Sequence, residues 1–362
     1  MDMLPDAETF KRLVDGSSRG LGPSSARLAL AVASLPYAAA VTIRNGAYDL
    51  GLASIHAVDA PVIAVGNLTL GGTGKTPLVA WVARLLAAGG RHPAVVSRGY
   101  KATPGEMSDE ALELCCLVPG LQHVANRDRV AGSVAAIAHG ADAIVLDDGF
   151  QHRRLRRDLD IVAVDATDPY GSGHLFPRGL LREPLGGIAR ADAVVLTRAS
   201  AIPADRRDAI RRTLLAARGQ RPFAAWMEAE HRPTSLRRAS GSVRPLDDLA
   251  GRRVVAFAGI GNPAAFRTTL TSLGATIAAF VSYPDHHAYS PADREHLEHL
   301  AQRESADVAV TTLKDLVKLD SDSLGAVPLA AVEIAMAPLC GGDELAALVA
   351  ATVSRHDRSR QA

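Results

Sequence analysis

From residue 61 onward, short runs of apolar and β-branched residues alternate with longer stretches in which apolar positions recur at helical spacing. Segments 61–65, 94–97, 143–146, 160–164 and 193–196 read as strands, and 77–88, 109–117, 128–139 and 204–217 as helices. That order predicts a parallel sheet covered by helices on both faces. The rhythm breaks over 223–244, where short extended pieces and scattered charges suggest a linker or β-ribbon. It then restarts, with strands near 254–258, 276–281, 308–310 and 329–332, a helix from Ala264 and a closing helix over 343–353. The expected organisation is a helical segment over 1–60, an α/β domain over 61–222, a linker over 223–246 and a smaller α/β domain over 247–362, with the last few polar residues disordered.

The segment 28–43 is apolar and Ala-rich, flanked by Arg27 and Arg44 and interrupted by Pro36. It is short for a comfortable bilayer span. Two readings stand: a buried helix pair, or a segment lying on a membrane surface with Tyr37 and Tyr48 near the interface. The polar, acidic N-terminus has no secretory pattern. Of the 362 residues 48% are hydrophobic and 22% charged, enough for a sizeable core. A net charge of +1 supplies no global field toward nucleic acid or an anionic membrane, so any anion site must be built locally. Cys115, Cys116 and Cys340 have no metal-ligand spacing and fit a reduced, cytoplasmic setting.

The first α/β domain opens with its most informative run. The strand 62–65 leads through Gly66-Asn67-Leu68-Thr69-Leu70 into Gly71-Gly72-Thr73-Gly74-Lys75-Thr76-Pro77. A strand entering a glycine-rich turn that opens a helix lets backbone N–H groups and the helix terminus converge on phosphate oxygens. Lys75 would reach the β- and γ-phosphates of ATP, and the Thr76 hydroxyl would ligate Mg²⁺. Position 69 carries Thr where the strict pattern has glycine. The expected fold is therefore a P-loop NTPase-type α/β domain joined to a smaller one.

The strand 143–146 ends in Asp147-Asp148, which can hold Mg²⁺ directly or through water beside such a loop. Directly after it, Arg153, Arg154, Arg156 and Arg157 could grip an anionic group, although a solvated basic turn is the better reading for Arg156 and Arg157. The cluster is short and lacks interleaved aromatics, which argues against nucleic acid. The loop containing Arg178, Arg182 and Glu183 is punctuated by glycine and proline, as functional loops often are. Its arginines could meet a substrate phosphate, and Glu183 could support Mg²⁺ or the transfer site. His152 is equally consistent with a structural partner of Asp147 or Asp148.

These motifs resemble the tetraacyldisaccharide 4′-kinase family of lipid A biosynthesis. The resemblance rests on the phosphate loop, Ser97-Arg98-Gly99-Tyr100, Asp147-Asp148-Gly149-Phe150-Gln151-His152-Arg153, Arg157-Asp158-Leu159-Asp160 and the run from Pro177 to Pro184. It continues with Asp285-His286-His287, Lys314-Asp315 and Val317-Lys318, so it covers most of the chain. It implies transfer of phosphate from ATP, with Mg²⁺, to the 4′-hydroxyl of a tetraacylated glucosamine disaccharide 1-phosphate. It also implies two α/β domains closing over ATP and peripheral attachment, through the N-terminal segment, to the cytoplasmic face of the bacterial inner membrane.

The resemblance further makes Asp109 the base, supported by His286 arriving from the second domain. It places Arg98, Gln151, His152, Arg178, Arg182 and Glu183 toward the substrate. Read alone, His286 is better taken as a surface histidine in a polar turn. The chain departs from the family pattern in Ser108-Asp109-Glu110-Ala111, in a shortened loop from Tyr100 and in Leu313 of Thr312-Leu313-Lys314-Asp315. The alternative functions are a P-loop ATPase or GTPase acting as a switch or maturation factor, and a non-catalytic membrane-associated binding protein. The first leaves Asp285-His286 unexplained, and Lys75, Thr76 and Asp147 argue against the second.

Overall fold

A computed structural model describes residues 7–99 and 107–361. Tyr100 and the shortened loop that begins with it lie outside the described residues. The chain opens with helices α1 (Ala7–Val14) and α2 (Leu21–Asp49), then strand β1 (Val62–Asn67), α3 (Lys75–Ala88) and β2 (Pro93–Ser97). Next come α4 (Asp109–Leu117), β3 (Gln122–Ala125), α5 (Arg129–Ala138), β4 (Ala143–Asp147), β5 (Leu159–Asp165), β6 (Ala193–Thr197) and α6 (Ala204–Ala217). The long strand β7 (Ala225–Arg237) is followed by β8 (Val243–Arg244), β9 (Arg253–Ala258), α7 (Pro263–Ser272), β10 (Thr276–Ser282) and α8 (Pro291–Arg303). The chain ends with β11 (Val308–Thr312), α9 (Leu313–Leu319), β12 (Ser323–Leu324), β13 (Val327–Cys340) and α10 (Gly342–Gln361).

Two compact units result. The first comprises the described parts of Met1–Arg98, Val124–Glu230 and Pro338–Ala362; the second comprises those of Gly99–His123 and His231–Ala337. In the first unit the strands run β3-β2-β4-β1-β5-β6-β7. The pairings from β2 to β7 are parallel. Every residue of β1, β4, β5 and β6 is buried, which explains their continuous apolar runs: a parallel sheet is covered on both faces. Helix α3 supplies Leu78, Val79, Val82, Ala83 and Leu86 to the core at helical spacing.

Register sets the functional ends side by side. Val65 of β1 lies opposite Asp147 of β4, so the strand feeding the glycine-rich loop runs beside the strand ending in carboxylates. Gly66 permits their closest approach, because a Cβ there would lie 2.5 Å from the Cβ of Phe150. Any larger residue would drive the turn after β4 away from β1.

The second unit contains the parallel order β10-β9-β11-β13. Its helix α4 starts at the Ser108 cap, whose hydroxyl accepts from the Ala111 amide at 3.3 Å. Ala111, Leu114 and Leu117 of α4 are buried, and α4 packs on α9, which buries Leu313, Leu316 and Leu319.

Several sequence expectations change. The apolar N-terminal segment is one 29-residue helix running through Pro36, with Val41 its buried residue, so the buried helix pair is corrected. Leu21, Leu28, Val32, Leu35 and Ile43 are exposed, and the helix is long and apolar enough, by length and composition, to cross a membrane. Tyr37 and Tyr48 are committed to protein contacts: Tyr37 donates to the Arg182 carbonyl at 2.7 Å, and Arg153 lies over the Tyr48 ring.

The segment expected as a linker or β-ribbon contains the 13-residue strand β7, paired with β6 in parallel and, as a short ribbon, with β8 antiparallel. The polar tail is helical through Gln361, with His356 near Asp158 and Asp357 paired to Arg91. The units also divide the chain differently from the expected boundaries, since 99–123 groups with the second unit and 338–362 with the first.

Candidate active site

In the first unit, β1 ends in a loop whose glycines adopt left-handed backbone angles, φ 106° at Gly71 and 78° at Gly74. Lys75 and Thr76 then occupy the first turn of α3. Asn67 ties the loop internally, its Nδ2 donating to the Thr69 carbonyl at 2.6 Å and to Thr73 Oγ1 at 3.0 Å. Thr69, which stands where the strict pattern has glycine, is bridge-paired with Leu181 and buried. A Cβ on Gly71 or Gly72 would meet nothing within 4 Å, so the outer face of the loop is open. An open glycine-rich turn at the N-terminus of a 14-residue helix fits a polyphosphate.

Asp148 follows β4 in a left-handed conformation (φ 56°), which aims its carboxylate at two cations. Lys75 Nζ lies 3.5 Å from Oδ1, and Arg182 Nη1 donates to both oxygens at 2.8 and 2.7 Å. Burial alone would raise this carboxyl, but Lys75 and Arg182 outweigh it and hold it below the ordinary range. Asp147, at the last position of β4, is buried. Thr76, Asp147 and Asp148 therefore offer hard oxygen donors beside the phosphate cradle, the donor set that suits Mg²⁺ bound partly through phosphates. Buried Asn67 Oδ1 and Gln151 Oε1 have no partner among the described residues, which leaves acceptor capacity at the same place.

Glu183 is fully buried beside this cluster. It accepts from Arg190 Nη2 at 2.9 and 2.8 Å, from Gln151 Nε2 at 2.9 Å and from Asn45 Nδ2 of α2 at 3.1 Å. Arg190 also covers the Phe150 ring at 4.6 Å. The opposite side of the loop is braced by β6. Thr197 Oγ1 donates to the Thr73 carbonyl at 2.8 Å, and Arg198 donates to the Gly72 carbonyl at 2.9 Å while pairing with Asp165.

Sequence reasoning missed Asn45, Arg190, Thr197 and Arg198. Thr197-Arg198 carried a usable signal, because polar residues at the C-terminal end of a buried parallel strand face the ligand side. Asn45 and Arg190 carried none.

The arginine run resolves into structural pairs. Arg153 donates to the Asn45 carbonyl and to Asp49, and Arg154 pairs with Asp128. Arg156 is exposed. Arg157 is not a solvated turn residue, since it grips Asp160 at 2.9 Å with both side chains 10% exposed. His152 is pushed down to about 4 by burial and by Arg129, so it is neutral at ordinary pH. Arg178 donates to the Val14 carbonyl of α1, and Arg98 is exposed at the end of β2.

The second unit holds a separate charged cluster. Asp109, first residue of α4, accepts at Oδ2 from His286 Nδ1 at 3.4 Å and from Lys318 Nζ at 3.3 Å. Asp109 and His286 thus belong to the same compact unit, which corrects the expectation that His286 arrives from another domain. The reason is the apolar face of α4, which packs on α9. Lys318, 9% exposed, also contacts fully buried Asp315 at 3.2 Å and donates to the His287 carbonyl at 3.2 Å. Lys314 Nζ donates to Asp285 at 2.8 Å and lies 3.2 Å from His286 Nε2. One turn after Asp109, burial raises Glu113 from the ordinary 4.5 to about 7, with Lys314 offsetting part of the shift.

A family profile described as Tetraacyldisaccharide-1-P 4′-kinase matches residues 26–353. A tetraacyldisaccharide 4′-kinase of Geobacter metallireducens is 41% identical over 328 residues, covering 85% of this chain and 93% of its own. One from Anaeromyxobacter sp. (strain K) is 38% identical over 355 residues, 92% of each chain. The crystal structure of LpxK from Aquifex aeolicus in complex with ATP is 30% identical, with a TM-score of 0.72, and the match covers 90% of this chain and 99% of that one. The mixed α/β architecture with its large parallel sheet is shared with that structure.

The state of Glu113 gives a stability test. A carboxyl raised from 4.5 to about 7 by folding contributes progressively less stability as pH rises through that window. Glu113→Gln is therefore expected to raise the melting temperature at pH 8, by on the order of 1 kcal/mol in stability, and to have little effect at pH 4.5. Equal effects at both pH values would contradict the assignment.

Proposed function

The chain belongs to the tetraacyldisaccharide 4′-kinase family, and from that premise we infer that it carries out ATP-dependent 4′-phosphorylation in lipid A biosynthesis. The observation that carries the reading within the molecule is the Lys75–Asp148–Arg182 arrangement beside an open glycine-rich loop. The acceptor in this reading is a tetraacylated glucosamine disaccharide 1-phosphate. A switch ATPase or GTPase would need the loop and Asp147-Asp148, but would leave Asp109 and His286 without a task.

In the proposed mechanism, loop amides and Lys75 hold the β- and γ-phosphates, and Thr76 with Asp147 or Asp148 would hold Mg²⁺. The ion would supply neutralisation of charge developing on the phosphoryl oxygens. Asp109 accepts the proton of the sugar hydroxyl as its oxygen bonds to the γ-phosphorus, and ADP leaves with the electrons of the broken P–O bond. Arg182, already charge-paired with Asp148, is suited to a phosphate of either substrate. Gln151 and Glu183 position that arginine's loop, and Arg98, His152 and Arg178 are further candidates for acceptor contacts.

We also propose that α2 lies on the cytoplasmic face of the inner membrane rather than crossing it. Its exposed residues Leu28, Val32 and Leu35 can enter the acyl boundary. Its other face is bonded to the first unit through Tyr37 and Asn45, at residues 182 and 183 of the loop. Crossing would draw those polar contacts into hydrocarbon.

Purified protein supplied with ATP, Mg²⁺ and the acylated disaccharide monophosphate should yield the 4′-phosphate. Lys75→Ala and Asp109→Asn should each lower kcat by about a hundredfold or more. No transfer by the wild type would refute the kinase reading, whereas full turnover by Asp109→Asn would remove only the assigned base. For the membrane, the double variant Leu28→Glu, Leu35→Glu should lose most of its flotation with anionic vesicles while still binding ATP. Unchanged flotation would contradict the proposed face.

A further inference from the structure

Within the first unit, α1 and the loop after β5 flank an open cavity of about 440 Å³. Its wall carries both signs of charge, Lys11 and Arg178 against Asp15 and Asp168, with Ser172 and His174 beside them.

The groups on this wall are held in place. Arg178 Nη1 donates to the Val14 carbonyl at 2.9 Å, which seats the guanidinium on the C-terminal turn of α1, where positive charge is favourable. A guanidinium has five N–H donors, so others remain for a ligand. Asp15 accepts from the Ser17 amide at 2.8 Å and from its hydroxyl at 2.6 Å, both at Oδ1. These bonds keep its carboxyl below the ordinary range, and therefore ionised. In the facing loop Gly171, Ser172 and Gly173 are successive left-handed residues, with φ of 51°, 63° and 72°. That backbone is costly for a serine, and the loop is pinned in it. The Leu180 amide donates to the Gly171 carbonyl at 2.8 Å, and a Cβ on Gly171 would lie 2.8 Å from that of Leu180.

The mixture of charges selects the ligand. A phosphate alone would gain from Lys11 and Arg178 but be repelled by two carboxylates, and an ammonium alone would meet the reverse. A group that joins the two satisfies both pairs. The place is equally informative. Arg27 of α2 donates to the Ser18 carbonyl at 2.8 Å and to the Leu13 carbonyl at 3.4 Å, which ties α2 to the end of α1, and Leu21 and Leu28 of α2 are exposed. A headgroup in the cavity therefore has apolar helix surface nearby for its chains. Lys11 and Asp15 precede residue 26, where the family match begins, so half of the charged wall comes from outside the matched region.

We propose that this cavity binds the headgroup of a phospholipid in which a phosphate is joined to a primary ammonium. Lys11 and Arg178 take the phosphate, and Asp15 and Asp168 take the ammonium. The proposal rests on the reading of α2 as a helix lying on the membrane surface, and it adds headgroup selectivity to that attachment. A primary ammonium offers three N–H donors to the carboxylates and a trimethylammonium offers none, so phosphoethanolamine is preferred over phosphocholine.

The test titrates the full chain, ¹⁵N-labelled at histidine with His174 assigned through His174→Gln, with soluble glycerophosphoethanolamine, glycerophosphocholine and inorganic phosphate. The His174 ring should shift most with the first at equal concentrations. In flotation, the wild type should favour phosphatidylcholine vesicles that contain phosphatidylethanolamine over phosphatidylcholine alone at least severalfold, and Lys11→Glu should lose that preference. Asp168→Asn gives opposite signs for the two kinds of site. It should weaken the response to glycerophosphoethanolamine, whereas a plain anion site would bind inorganic phosphate more tightly once that carboxylate is neutral. Equal shifts with all three probes, a largest shift with inorganic phosphate, undiminished binding of glycerophosphoethanolamine by Asp168→Asn, or a retained vesicle preference in folded Lys11→Glu would each overturn the proposal. Failure of the surface-helix reading would look different: no flotation with any vesicle, while glycerophosphoethanolamine still shifts His174.

Discussion

The carboxylate of Asp148 is the point on which the nucleotide half of the molecule turns. It is drawn from the end of β4 by a left-handed backbone, and it binds Lys75 at the start of α3 and Arg182 in the loop after β5. Three segments far apart in sequence are thereby held at one place, none of them able to keep its charge near the others without that partner. The lysine and arginine sides are 16% and 20% exposed, so the pairing is screened less than a surface salt bridge but remains accessible to an incoming phosphate. Through Arg182 and the neighbouring Glu183, the same contacts reach Tyr37 and Asn45 of α2. A helix with an exposed apolar face is thus bonded to the loop beside the glycine-rich turn by two hydrogen bonds.

The second unit solves a different electrostatic problem. The proposed reading asks a carboxylate there to be held in one orientation. Asp109 stands at a helix N-terminus with two nitrogen donors on one oxygen. Glu113, one turn along the same helix, is raised toward neutrality by burial.

Much of this was legible in the sequence because the local rules agree. Continuous apolar runs became buried parallel strands, and the glycine-rich turn, Lys75-Thr76 and Asp147-Asp148 arrived at adjacent strand ends because register follows from the βαβ order. Two kinds of feature were hidden. Partnerships of arginine depend on tertiary distance, so Arg157 looked like a solvated turn residue and proved to be a buried ion pair with Asp160. Unit membership also escaped, because α4 is followed in sequence by strands of the first unit while its apolar face packs on α9. The N-terminal segment misled for a third reason, as Pro36 suggested a break that the helix tolerates.

The proposal that Asp148 joins Lys75 to a position that would hold Mg²⁺ is tested most directly by calorimetric titration of ATP into wild type and Asp148→Asn, with and without Mg²⁺. The wild type should bind ATP more tightly when Mg²⁺ is present. Asp148→Asn, with Lys75 and Arg182 released, should bind free ATP at least as well as the wild type yet gain little from Mg²⁺. A variant that retains the full magnesium-dependent gain would contradict the account.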